Sequence, residues 1–269
     1  MPTISLGSGF RFSYADQGER GSDRAVVLIP GPTDSWRSYD PVLASMPGHL
    51  RVVAVSMRGH GDSSKPPTGY SIEDLASDIM PLLNGLGIER AVLVGHSGSC
   101  LVARRVALDA PDRVVGLFLE ASPSTLRGDE NLRGLIDTVV STLTPPIDRE
   151  FAQSFIADTS SENLAPDLVE NLVDDLVKVP VHVWKEMFAS LIVYDDTAEL
   201  ARVEVPVRLV WGADDALVSR QMQDQLVALL PRAELTVYAR VGHTPRWEQP
   251  SRFTQELGEF ASPLLDEFC

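Results

Sequence analysis

The stretch Arg90-Ala91-Val92-Leu93-Val94-Gly95-His96-Ser97-Gly98-Ser99 constrains this chain more than any other. A short apolar run ends in Gly-His-Ser-Gly, and a helical pattern begins at once through Val102, Val106 and Leu108 until Pro111 stops it. A strand that passes straight into a helix brings the two backbones close together. The turn therefore accepts only small residues and holds the side chain at its tip clear of the sheet. That tip is Ser97. Alone, a serine in a strand-to-helix turn is common punctuation. Its weight here comes from the residues that stand just after two other strands.

Val207–Gly212 reads as a buried strand, followed by Asp214 and Asp215. Residues 234–238 read as another, followed by Val241-Gly242-His243. Parallel strands end along one edge of a sheet, so side chains just beyond them converge. Serine is a poor nucleophile unless a neighbouring base takes its proton. A histidine can do so, and a carboxylate can hold the imidazole in one tautomer. Ser97, Asp215 and His243 are thus the candidate catalytic group, with Asp214 as the alternative acid.

The remaining chain reads as an α/β alternation. Residues 25–29, 52–57 and 115–120 have the pattern of buried strands. Ser71-Ile72-Glu73-Asp74 opens a helix with a capping-box pattern, and Ile72, Leu75, Ile79, Leu82 and Leu86 follow helical spacing. Pro81 is expected to bend that helix and Gly87 to end it. From about Ser122 to Leu200 the strand signal disappears. Three apolar helix faces replace it: Leu132, Leu135, Ile136, Val139 and Leu143; then Leu168, Leu172 and Leu176; then Val183, Trp184, Met187, Phe188 and Leu191. Pro145-Pro146 separates the first from the next. The expected division is a core of residues 1–121 and 201–269 with a helical insertion at 122–200 that roofs the serine.

Composition narrows the partners. A net charge of -15 opposes binding to nucleic acid or an anionic membrane surface. No apolar run approaches a membrane span, and the N-terminus lacks a secretion pattern. Cys100 and Cys269 make neither a disulfide framework nor a metal pattern, and a reducing cytoplasm is the simplest home. Cys100 is expected in the core. His49, His60, His96, His182 and His243 show no metal-ligand spacing. The expected partner is a small molecule, with no metal and no cofactor; the oligomeric state is left open.

These residues resemble the α/β-hydrolase superfamily, in its compact, cap-bearing bacterial form. Ala25-Val26-Val27-Leu28-Ile29-Pro30-Gly31-Pro32-Thr33-Asp34-Ser35-Trp36 looks like the family's strand and oxyanion loop. Met57-Arg58-Gly59-His60-Gly61-Asp62-Ser63-Ser64 looks like its Arg-Gly-x-Gly-x-Ser turn. Gly95-His96-Ser97-Gly98 looks like the nucleophile elbow, Gly212-Ala213-Asp214-Asp215 like the acid loop and Gly242-His243-Thr244-Pro245 like the histidine loop. The resemblance covers nearly the whole chain. It implies a mostly parallel sheet flanked by helices, with a helical cap.

The resemblance also implies roles. Ser97 is the nucleophile, His243 the general base and then acid, and Asp215 its orienting acid; Glu120 ranks third for that place. The Gly98 N–H donates to the oxyanion. The family usually draws a second N–H from the residue after His-Gly, which here is Pro32 and has none, so the Thr33 N–H or hydroxyl, or an ordered water, is expected to substitute. Trp36 is expected near the pocket rim. Trp184 and Phe188 are expected to pack between cap and core and, secondarily, to line the pocket. The implied activity is hydrolysis of a carboxylic ester or lactone through an acyl-enzyme. The alternatives are a ligand-binding protein on a hydrolase scaffold, or a lyase or cofactor-free oxygenase of the same fold.

Overall fold

The computed structural model describes residues 2–7, 9–160 and 164–266; Cys269 lies outside them. The strands are β1 (Thr3–Ser5), β2 (Arg11–Gln17), β3 (Arg24–Ile29), β4 (Val52–Val55), β5 (Arg90–His96), β6 (Val114–Glu120), β7 (Val207–Gly212) and β8 (Ala233–Tyr238). They form one eight-stranded sheet in the order β1-β2-β4-β3-β5-β6-β7-β8. The pairs β1/β2 and β2/β4 are antiparallel, and the other pairings are parallel. The helices are α1 (Asp40–Leu43), α2 (Ile72–Gly85), α3 (Ser99–Asp109), α4 (Glu130–Thr138), α5 (Arg149–Ala157), α6 (Pro166–Leu176), α7 (Val181–Leu191), α8 (Arg220–Leu229), α9 (Pro245–Glu248) and α10 (Pro250–Asp266).

Between their end residues β3 and β5 are apolar throughout, because helices cover both faces of the sheet. In β3 and β5, Val27, Ile29, Ala91 and Leu93 enter one apolar cluster with α2 and α3. Val26, Leu28, Val92 and Val94 enter the other, with α1 and α10. Helix boundaries follow local chemistry. Ser71 caps α2 through the Asp74 N–H, and the Asp74 carboxylate returns to the Ser71 N–H. At the other end Gly87, at φ +67°, lets its own N–H reach Asn84 O and the Ile88 N–H reach Leu83 O.

Between β6 and β7 the chain carries α4, α5, α6 and α7, and no strand among the described residues. The expected faces of α6 and α7 are buried in the same cluster as α2 and α3. The α4 face is only partly buried. Trp184 stacks on Phe188 at 5.6 Å, with Phe151 and Phe155 against its other sides. Arg104 of α3, wholly buried, ties both ends of this insertion down. It donates to Pro123 O and Ser124 O at the entry and to the Asp196 carboxylate at the exit.

One expectation changes. The strand expected over 52–57 ends at Val55; the Ser56 N–H still bonds Ser13 O beside the last β2 pairing, while its hydroxyl accepts the Trp36 N–H. The β1–β2 ribbon lies outside the sequence reading. β2 is half-exposed and half-polar, so its pattern carries little signal.

Candidate active site

β5, β7 and β8 run parallel, with β6 between the first two, so their C-terminal ends share one edge. Ser97 follows β5 there. A Cβ on Gly95 would sit 2.8 Å from Cys100 Cα and 2.9 Å from Ser99 O, which is why glycine stands where strand meets helix. Ser97 itself holds φ +53°, a left-handed conformation that is strained for a residue with a side chain. Its N–H is fixed to Glu120 O at 2.9 Å. Helix α3 starts immediately after, so the Gly98 N–H lies at a helix N-terminus, where negative charge is favoured. Ser99 fills the place where glycine is usual and is the first helical residue.

His243 and Asp215 meet. Nδ1 of His243 lies 2.9 Å from Oδ2 of Asp215, and both side chains are buried. The other oxygen of Asp215 accepts the N–H groups of Leu217 at 2.8 Å and Val218 at 2.9 Å. The carboxylate is therefore fixed by backbone on one side and faces the imidazole on the other, which puts the ring proton on Nδ1 and leaves Nε2 basic. Among the described residues no hydrogen bond joins Ser97 Oγ to the ring. Asp214 is exposed. Both oxygens of Glu120 go to Arg246, one to its N–H at 2.8 Å and one to its guanidinium at 3.0 Å, so Glu120 is engaged away from His243.

The loop after β3 is a tight turn. The Asp34 N–H closes onto Gly31 O at 3.1 Å, with Pro32 second and Thr33 third at φ +77°. This is the type II arrangement, which favours proline at the second position and needs positive φ at the third. The Thr33 N–H donates to Nε2 of His60 at 3.2 Å, while Nδ1 of His60 lies 2.9 Å from Arg58 O. Thr33 thus has only its hydroxyl left to offer. Burial pushes the His60 pKa down to about 4, keeping Nε2 an acceptor. Pro32 rests on the elbow, with its Cγ 3.0 Å and Leu191 Cδ2 2.8 Å from where a Gly98 Cβ would be.

The other expected residues are dispersed. Trp36 is partly buried against the α1 and α10 layer, while Ser35 and Arg37 on either side of it reach Asp175 of α6 in the insertion. Trp184 is fully buried inside the insertion and Phe188 nearly so. Trp184 and Phe188 both lie in the apolar cluster shared with α2 and α3, the packing place expected of them first. His96 Nε2 lies 3.0 Å from His243 O, and burial, aided by the Arg246 charge, keeps the ring neutral. His182 reaches Pro66 O, and His49 reaches Ser262. Cys100 is buried, with its thiol pushed up to about 12 by burial. The insertion meets the histidine loop directly: Thr159 O accepts the His243 N–H, and Ser160 and Thr244 share a hydroxyl contact at 2.7 Å. A separate open cleft of about 590 Å³, bordered by Tyr70, Arg105, Glu186 and Tyr194, lies away from these groups.

Leu191 over Gly98, the His60 acceptor and the buried Arg246 pairing lie outside the sequence reading. The nearest signal for the last is an arginine three positions after the histidine, in an otherwise small and apolar loop.

The profile of the alpha/beta hydrolase family matches residues 26–256. A 2-hydroxy-6-oxononadienedioate/2-hydroxy-6-oxononatrienedioate hydrolase from Paraburkholderia phymatum is 30% identical, over 94% of this chain and 92% of its own length. A non-heme chloroperoxidase from Streptomyces lividans is 28% identical, over 97% of this chain and 99% of its own. An esterase structure from a Rhodococcus species superposes with a TM-score of 0.84 at 22% identity, covering 98% of both chains, a likeness of fold.

Proposed function

The chain belongs to the alpha/beta hydrolase family, and from that premise we propose that it is a serine hydrolase of small carboxylic esters or lactones. Ser97 Oγ attacks the carbonyl carbon while His243 Nε2 takes its proton. Asp215 stabilises the imidazolium that forms. The tetrahedral oxyanion is held by the Gly98 N–H at the start of α3 and by the Thr33 hydroxyl. His243 then returns the proton to the departing alcohol, and water cleaves the acyl-enzyme by the same route. The helices of residues 122–200 act as the cap, consistent with their contact with the histidine loop. The single observation that carries this reading is the Asp215–His243 pair at 2.9 Å on the edge where Ser97 holds φ +53°.

A dicarboxylate substrate, suggested by the name of the 30% identical relative, is a second reading. It is less favoured because Arg246, the guanidinium beside the site, is committed to Glu120 and Asp34. Turnover of p-nitrophenyl acetate and butyrate tests the first reading, together with fluorophosphonate labelling and Ser97→Ala as control. Ser97-dependent turnover and labelling are expected. Equal rates in the wild type and Ser97→Ala would refute it.

A further inference from the structure

Arg246 sits three residues beyond His243 and is wholly buried. It joins three segments that are far apart in sequence. Its backbone N–H and Nη1 hold the two oxygens of Glu120 at the end of β6, at 2.8 and 3.0 Å. Its Nη2 reaches Oδ2 of Asp34 at 2.7 Å. The Trp247 and Tyr39 rings lie within 4.4 and 5.2 Å of the guanidinium carbon, so the fork has little freedom to turn away. Asp34 is also the closing residue of the turn at Gly31, Pro32 and Thr33. One carboxyl thus belongs at once to the turn that faces the elbow and to the loop that carries the histidine.

We propose that Asp34 is a positioning residue: its bond to Arg246 locks the Pro32–Thr33 turn, and with it the second oxyanion donor, in register with His243. The inference rests on the hydrolase reading above. In this chain the proline removes the usual backbone donor, so the donor that remains is a side-chain hydroxyl on a turn residue. Such a donor keeps its place only if the turn does. The Gly31 backbone packs against the His96 ring, which itself bonds His243 O, and this supplies an uncharged strut between the same two loops. The Asp34–Arg246 bond is the charged one.

The charged strut is also the titratable one. Among the described residues, the charges of Arg246, Glu120 and His243 act on Asp34, and Tyr39 lies beside it. Burial is the largest influence and the Glu120 charge acts with it, against Arg246 and His243, leaving Asp34 raised to about 7. Above that value Asp34 is a carboxylate and the bond to Arg246 is an ion pair. Below it the pair weakens and the turn loosens. Activity then depends on two deprotonations on the acid side.

The test is ester hydrolysis by the whole protein between pH 5 and 9, comparing wild type with Asp34→Asn and Arg246→Lys, and with Ser97→Ala as control. Asn keeps an oxygen toward Arg246 and removes the ionisation. In the wild type, log(kcat/KM) is expected to fall on the acid side with a slope steeper than one. In Asp34→Asn the slope returns to one, kcat at pH 8 falls about tenfold or more, and KM changes less than about twofold. Arg246→Lys keeps the charge but cannot span both carboxylates, and is expected to lose kcat in the same way. Wild-type kcat and slope in Asp34→Asn would overturn the proposal, as would activity that rises below pH 7. Should Asp34→Asn fail to melt cooperatively, a wild-type slope of one overturns it. Turnover that survives Ser97→Ala unchanged sinks the hydrolase reading and this inference with it. Ser97-dependent turnover with an indifferent Asp34→Asn sinks this inference alone.

Discussion

Asp215→Asn is the perturbation whose effect the structure specifies most fully. The two oxygens of Asp215 have different duties. Oδ1 accepts two backbone N–H groups, and Oδ2 faces Nδ1 of His243. An asparagine has one oxygen, and two fixed donors claim it at the Oδ1 place. Its NH2 must then face Nδ1, which becomes an acceptor. The ring proton moves to Nε2, the atom that has to take the proton from Ser97. The side-chain volume is unchanged and both backbone N–H groups stay satisfied, so the fold is kept while the base is disabled. Loss of the correct tautomer in a triad of this kind costs about 10³–10⁴ in kcat, or about 4–5.5 kcal/mol of transition-state stabilisation. The assay is steady-state hydrolysis of p-nitrophenyl acetate, paired with a thermal melt. A folded Asp215→Asn within about tenfold of wild-type kcat would refute the assignment of the acid. An equal loss in Asp214→Asn would point to the neighbouring carboxylate.

Thr33→Val keeps the size and branching of the side chain and removes the hydroxyl; kcat for a small ester is expected to fall by about 10² or more, with KM little changed. Pro32→Ala returns an N–H to the turn and is expected to raise kcat in the Thr33→Val background, measured on the same ester. Arg104→Met leaves Asp196 buried without its partner and frees both ends of the helical insertion; a loss of about 3–5 kcal/mol is expected by urea denaturation. His60 is held neutral in the fold to about pH 4, against an ordinary value of 6.5. The unfolded chain therefore binds the extra proton first, and stability falls as pH drops from about 6.5 toward 4, by roughly 3 kcal/mol at the low end. His60→Gln, which preserves an acceptor for the Thr33 N–H, is expected to flatten that part of the stability profile in denaturant titrations at each pH.

What the sequence determined on its own is what short-range physics writes into consecutive residues. The central strands are buried on both faces, so Ala91-Val92-Leu93-Val94 and Val207–Gly212 had to be apolar almost without interruption, and both are legible. The elbow is legible because Gly95 must be small where Cys100 lies 2.8 Å from its missing Cβ. Ser71 with Asp74, and Gly87 at its positive φ, mark the ends of α2 for equally local reasons. That Ser97, Asp215 and His243 stand on one edge is legible because parallel strands leave their next side chains there.

The tertiary structure decided what depends on contacts across long loops and on which layer a residue enters. Trp36 opens a short helical turn that rests on the α1 and α10 layer, yet Ser35 and Arg37 beside it reach Asp175 of α6, a pairing that only the closed fold decides. Glu120 ends its strand and Asp215 follows another on the same edge; only the approach of Arg246, from 126 residues away in sequence, commits the first to an ion pair and leaves the second to the histidine. In the sequence Thr33 is free to offer its N–H; in the fold His60 takes it, across 27 residues and through a turn whose shape no pattern of apolar spacing encodes. Hydrophobic periodicity fixes which face of an element is buried. The pairing of buried polar groups depends on where distant loops end, and that is settled only when the layers close around them.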